Sequence, residues 1–235
     1  MKTFSIYLRQ RLNIWLFVAL SFYILLFSKA VFEFGLEDAL RFFLILFFLL
    51  VMRLYDDLQS ASIDQGKPNR IYTDPAVAKE LTFVLIGLLL LLTMALALID
   101  RTIALYYILF LTANHVLYLL SLNRNGIRYF LPVLKYPVLI WAISRQLNFT
   151  LPAVFFAVLV SEAIEDRQFP IHGSFVYLLA VIAFVLLSIE SPLHSAWIVA
   201  LFFMISVIVI FIRFKYSHYI FLTLFLVCRL TVLVQ

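Results

Sequence analysis

Residues 81–99 read LTFVLIGLLLLLTMALALI, nineteen consecutive positions without a charge. A helix rises 1.5 Å per residue, so about 20 apolar residues cross about 30 Å of hydrocarbon. A barrel strand would instead alternate apolar and polar side chains over about 10 residues, and this stretch does not alternate. Since backbone polar groups in hydrocarbon must be satisfied within the segment, the run predicts a membrane helix.

Working outward, similar runs occupy 13–32, 39–55, 103–122, 129–144, 149–164, 175–189, 196–212 and 219–234, which with 81–99 makes nine candidate spans. Several are shorter than about 17 residues, so their helices are expected to extend into polar flanks. Composition agrees. Of 235 residues 65% are hydrophobic and 13% charged, against about 25% charged in soluble domains, and the mean hydropathy is +1.07. A soluble globular domain, a disordered chain and a nucleic-acid binder are excluded despite the net charge of +5. The expected architecture is all-α and polytopic: about nine transmembrane helices in one bundle around a central cavity, a single domain over residues 1–235.

The single cysteine, Cys228, excludes an internal disulfide, a cysteine-based zinc site and an iron–sulfur cluster. Lys2, Arg9 and Arg11 precede the first apolar run, and Ser28-Lys29-Ala30 faintly matches a signal-peptide cleavage site, but the run is long enough to be a retained first helix. With the N-terminus inside, eleven Lys and Arg residues fall on the cytoplasmic side (Lys2, Arg9, Arg11, Lys67, Arg70, Lys79, Arg124, Arg128, Arg167, Arg213 and Lys215) and four outside (Lys29, Arg41, Arg101 and Arg145). That asymmetry predicts an N-in, C-out topology.

Eight of the thirteen acidic residues cluster in two places: Asp56, Asp57, Asp64, Asp74 and Glu80 after the second run, and Glu162, Glu165 and Asp166 after the sixth. Four crossings separate them, so both are expected on the cytoplasmic face. If the second helix continues, Asp56, Ser60 and Asp64 stand at i, i+4 and i+8 on one face, and Glu162 and Asp166 at i, i+4. Like charges so spaced repel, and hard Mg²⁺ with phosphate oxygens would relieve them. Arg53, Lys67 and Arg70 suit the neutralisation of a diphosphate. The plainer alternative is a solvated face of acids paired to Arg53, Lys67 or Arg167. Asn114 and His115 lie within the fourth run, where they would either orient an acceptor or, as expected for His115, form an inter-helix hydrogen bond. Arg229, near the outer end of the ninth, is expected to snorkel.

At these residues the chain resembles the UbiA superfamily of intramembrane prenyltransferases, in which an Asn/Asp-Asp-x-x-Asp-x-x-x-Asp motif follows the second of nine helices and Asp-x-x-x-Asp follows the sixth. Asp56-Asp57-x-x-Ser60-x-x-x-Asp64, then Lys67-Pro68-Asn69-Arg70, is similar to the first motif and its Pro-x-Arg continuation. Glu162-x-x-x-Asp166 is similar to the second. Residues 118–137, ending Lys135-Tyr136-Pro137, look like a divergent bacterial subgroup. By layout the resemblance covers most of the chain, by motif residues 53–70, 118–137 and 162–167. It implies that Asp56, Asp64, Glu162 and Asp166, with Asp57 as a further ligand, hold one or two Mg²⁺ ions bridging a prenyl diphosphate, and that Arg53, Lys67 and Arg70 bind the diphosphate. Tyr118 and Arg128 are expected substrate contacts. The implied reaction transfers the prenyl group to a lipophilic acceptor, at the cytoplasmic side of a bacterial inner membrane. Ser60 stands where the family has a carboxylate, and Glu162 adds a methylene. The alternatives are a cyclase acting on a prenyl diphosphate and a non-catalytic membrane protein, such as a transporter or assembly partner.

Overall fold

A computed structural model of the chain describes residues 2–11, 14–29, 34–62, 64–66, 70–120, 130–145, 147–165, 173–189, 196–212 and 216–234. The described residues are all-α, with ten helices, one 3₁₀ turn at Ile71–Thr73 and no strand. The helices are α1 (Lys2–Arg11), α2 (Ile14–Phe27), α3 (Leu36–Gln59), α4 (Pro75–Ile99), α5 (Arg101–Leu120), α6 (Leu131–Ser144), α7 (Thr150–Glu165), α8 (Ser174–Ile189), α9 (Ala196–Ile212) and α10 (Ser217–Val234).

Extension into polar flanks occurs where the caps favour it. Asp38, in the first turn of α3, accepts a hydrogen bond from the Gly35 backbone N–H at 2.8 Å. Together with Glu37 it also places negative charge at the helix's positive end. α4 begins six residues before its apolar run because Asp74 caps it, accepting from the backbone N–H groups of Ala76 (2.8 Å) and Val77 (3.2 Å), while Pro75 occupies the first helical position. Asp100 is the one residue between α4 and α5. Its own N–H bonds to the Leu96 carbonyl, and its carboxylate accepts from Thr102 N–H at 2.7 Å.

Among the described residues two helices, α4 and α5, are long and apolar enough to cross a membrane, and α1 with α2 supplies a third if the pair is one span. The apolar helices α6 to α10 have 14 to 18 residues, or about 21 to 27 Å, short of the usual hydrocarbon thickness. α4 buries Leu81, Leu85 and Leu92 along a narrow stripe and exposes Phe83, Leu90, Leu91, Met94 and Leu98. So much exposed apolar surface is compatible with a membrane protein.

The chain divides into two compact units, one of Met1–Leu25 and Phe34–His115, the other of Leu26–Glu33 and Val116–Gln235. In the first unit α3 packs on α4, and α1 on α4; the rings of Phe48 and Tyr107 meet edge to face at 5.7 Å and join α3 to α5. In the second unit α7 is central, contacting α6, α8 and α10. Ala153 and Ala157 on α7, and Ala180 and Ala183 on α8, are fully buried, and such small side chains let helix backbones approach closely. Phe184 anchors an aromatic cluster with Phe203, Phe221 and Phe225, and Phe225 stacks on Phe27 at 5.5 Å. Arg229 does not snorkel. It is 5% exposed, donates to the Lys29 carbonyl at 2.8 Å, and lies 5.8 Å over the Phe27 ring. A backbone carbonyl just past the end of α2 and an aromatic face are what the guanidinium finds in place of water.

Candidate functional site

The first acidic cluster forms where α3 runs out. Its last residue is Gln59, yet the Ser60 N–H bonds to the Asp56 carbonyl and the Asp64 N–H to the Ser60 carbonyl, both at 3.0 Å. These i to i+4 bonds link the backbones of Asp56, Ser60 and Asp64 in the order the sequence predicts.

Each carboxylate has a distinct environment. Asp56 and Asp57 are both buried. Arg11 grips Asp57 with both arms, Nε to Oδ2 at 2.8 Å and Nη2 to Oδ1 at 2.7 Å. The Tyr7 hydroxyl donates to Oδ2 at 2.9 Å, and Arg53 Nε lies 3.6 Å from Oδ1. Fork-on-carboxylate geometry of this kind is the strongest form of charge-assisted hydrogen bond. Asp57, expected among the metal ligands, therefore has both oxygens engaged by protein donors. Asp64 accepts from the Tyr72 hydroxyl at 2.5 Å and has Arg70 Nε at 3.9 Å.

Tyr72 ties the two acids together. It is fully buried in the 3₁₀ turn, meets the Tyr7 ring edge to face at 6.4 Å, and has the Arg11 guanidinium 5.5 Å from its ring centre. Burial, with the Asp57 and Asp64 carboxylates beside it, pushes the Tyr72 phenol well above its ordinary range, so it remains a hydrogen-bond donor. The hydroxyl of Thr73 returns to the Arg70 carbonyl at 2.8 Å and closes the turn that places Tyr72.

His115 joins α5 to α3, its Nδ1 3.2 Å from the Tyr55 hydroxyl and 3.5 Å from Gln59 Nε2, an inter-helix hydrogen bond as expected. Of the remaining expected site residues, Tyr118 is buried and Glu162 half-buried, both in the second unit. Lys67, Arg128 and Asp166 lie outside the described residues. Tyr7, Arg11 and Tyr72 are the site residues that sequence reasoning missed. Arg11 was legible there as a topological charge only, and the aromatic partners stand fifty and eight residues from the acids they serve.

Among the described residues no group of three or more His, Cys, Asp or Glu side chains is placed to hold a metal ion. Mg²⁺ characteristically takes only one or two carboxylates and completes its shell with water and substrate phosphate oxygens. Asp56 and Asp64 carry hard oxygen donors of the kind Mg²⁺ takes, Asp64 with its Oδ2 also accepting from Tyr72, whereas both oxygens of Asp57 are held by protein donors. Comparison with known proteins gives no match: no family, curated protein or solved structure is similar to the chain.

Proposed function

We propose that the chain is a membrane-integral, Mg²⁺-dependent transferase that moves a prenyl group from a prenyl diphosphate to a lipophilic acceptor, with nine spans, the N-terminus inside and its site at the cytoplasmic face. The observation that carries the proposal is the linked Asp56–Ser60–Asp64 register at the end of an apolar helix, with Arg53 and Arg70 beside it. Asp56 and Asp64 would hold the ion, which supplies Lewis-acid stabilisation of the departing diphosphate. Arg53 and Arg70 contribute positive charge where negative charge develops, as an electrostatically prepared site requires. The allylic C–O bond breaks with its electron pair leaving on the diphosphate, the acceptor bonds to the allylic carbon, and a proton is lost from the acceptor.

Asp57 has a positioning role in this scheme: held by Arg11 and Tyr7, it fixes the end of α3 against α1. Glu162 and Asp166 enter through the sequence resemblance alone. A second possibility, a non-catalytic membrane protein, is favoured by the engagement of Asp57 and Asp64 with arginine and tyrosine, which also suits purely structural acids. One experiment separates them. Purified protein is incubated with farnesyl or geranylgeranyl diphosphate, Mg²⁺ and a panel of lipophilic acceptors, and diphosphate release is measured for wild type and for Asp56→Ala, Asp64→Ala, Glu162→Ala and Asp166→Ala. The transferase proposal expects release by wild type and its loss in Asp56→Ala and Asp64→Ala; no release by wild type with either donor, or unchanged release in both variants, refutes it.

A further inference from the structure

The two faces of α1 differ in what they meet. Tyr7 and Arg11, one turn apart, are committed inward: Tyr7 is buried, and both donate to Asp57 near the end of α3. Ser5, Ile6, Arg9 and Gln10 occupy the remaining arc of the helix and are all exposed. The arginines of the last turn are thereby separated in role. Arg11 is neutralised by Asp57, whereas no carboxylate among the described residues pairs with Arg9, and α1 itself carries no acid. The charge that this helix presents outward is positive.

α1 does not continue the direction of the apolar helix that follows it. The axes of Thr3–Arg11 and α2 diverge by 69°, so where α2 runs along a bilayer normal, α1 lies close to the bilayer plane. Its ten residues measure about 15 Å, too short to cross hydrocarbon, and an unpaired arginine there is costly. The first turn of α2 marks the depth. Trp15 is 79% exposed, and its neighbour Ile14 is exposed as well. An indole is an apolar plate with one N–H donor, and such side chains settle at headgroup level, where the ring meets acyl chain and the N–H meets oxygen. Six positions separate Trp15 from Arg9, and they stand on either side of the bend. The group that complements both is anionic, rich in oxygen acceptors and joined to an apolar chain. Free phosphate would answer Arg9 and leave Trp15 and Ile14 in water.

We propose that α1 is an interfacial helix whose outward arc, together with Trp15, binds the phosphate headgroup of an anionic membrane lipid. Arg9 supplies the charge, Ser5 and Gln10 supply hydrogen-bonding groups beside it, and Trp15 sets the depth. The assignment rests on membrane integration alone and takes nothing from diphosphate chemistry, so it and the transferase proposal stand or fall separately.

The test uses the purified full chain in nanodiscs of phosphatidylcholine with a minority of phosphatidylglycerol, bromine being carried near the glycerol end of the acyl chains of one lipid or the other. Quenching of Trp15 is taken as the difference between wild type and Trp15→Phe, a substitution at an exposed position that leaves Trp141 and Trp197 as common background. Per molecule of brominated lipid, phosphatidylglycerol is expected to quench Trp15 about fivefold more than phosphatidylcholine, the enrichment that one basic side chain gives at an anionic surface. Arg9→Gln brings the two lipids to parity, and Arg9→Lys keeps the preference. Equal quenching by the two lipids in wild type, or a preference that survives in Arg9→Gln, overturns the proposal. Quenching of Trp15 by aqueous iodide with none by either brominated lipid overturns it too and places the bend in water, while resistance to iodide and to both lipids overturns it by placing protein over Trp15.

Discussion

Replacing Arg11 by alanine tests the junction on which the proposed site is built. Arg11 and Asp57 have side chains 10% and 6% exposed, a buried ion pair whose severing by loss of one partner costs about 3–5 kcal/mol. Asp57 would keep the Tyr7 hydroxyl at 2.9 Å and Arg53 at 3.6 Å. The lower end, about 3 kcal/mol, is therefore expected. For a chain of this length each kcal/mol lowers the unfolding temperature by about 2–4 °C, so Arg11→Ala should unfold about 6–12 °C below wild type. The assay is thermal unfolding in detergent, followed by circular dichroism, for Arg11→Ala, Asp57→Ala and the double variant. Because the two groups touch, the double variant should be less damaged than the sum of the singles by about 2 kcal/mol. Additivity within about 0.5 kcal/mol would show that the pair contributes nothing as a pair and would refute the reasoning.

Tyr72→Phe removes the donor to Asp64 while keeping the ring against Tyr7; a hydrogen bond to a charged group contributes about 1.5–3 kcal/mol, and limited proteolysis between residues 64 and 74 should accelerate while cleavage elsewhere does not. Asp74→Ala deletes the α4 cap and should cost about 1 kcal/mol, seen as a fall of about 2–4 °C in unfolding temperature, whereas Asp74→Asn keeps an accepting oxygen at the cap and should show little of the loss. On the transferase proposal, EDTA abolishes diphosphate release and added Mg²⁺ restores it, while release that persists through chelation counts against metal dependence.

Helical class was legible because hydrophobic runs leave the backbone no other way to satisfy itself in hydrocarbon. The Asp56, Ser60, Asp64 register was legible for a related reason: helical spacing is local, and the backbone bonds through Ser60 obey it. Nonlocal pairing was not. Nothing in the spacing of Arg11 distinguishes a cytoplasmic topology charge from the clamp on a carboxylate 46 residues away. The same limit applies to α1, whose ten residues carry three basic side chains and no apolar run, and whose buried Tyr7 contacts α3 through Asp57. Arg229 was misplaced because snorkelling assumes that water is the nearest relief for a guanidinium, and here a carbonyl 200 positions earlier in the chain is nearer. Span number is legible only in part, since α6 to α10 are apolar without the length that makes α4 and α5 unambiguous.

That bond between Arg229 and the Lys29 carbonyl also sets an order of events during synthesis. At about 5–20 residues per second, the 200 residues separating donor from acceptor take about 10–40 s to emerge. Throughout that interval Phe27 lacks the ring of Phe225 and the Lys29 carbonyl lacks its guanidinium. The second unit thus closes on its earliest segment only when its last helix arrives, which makes α10 the keystone of that unit and a chain halted before residue 225 a natural target for quality control.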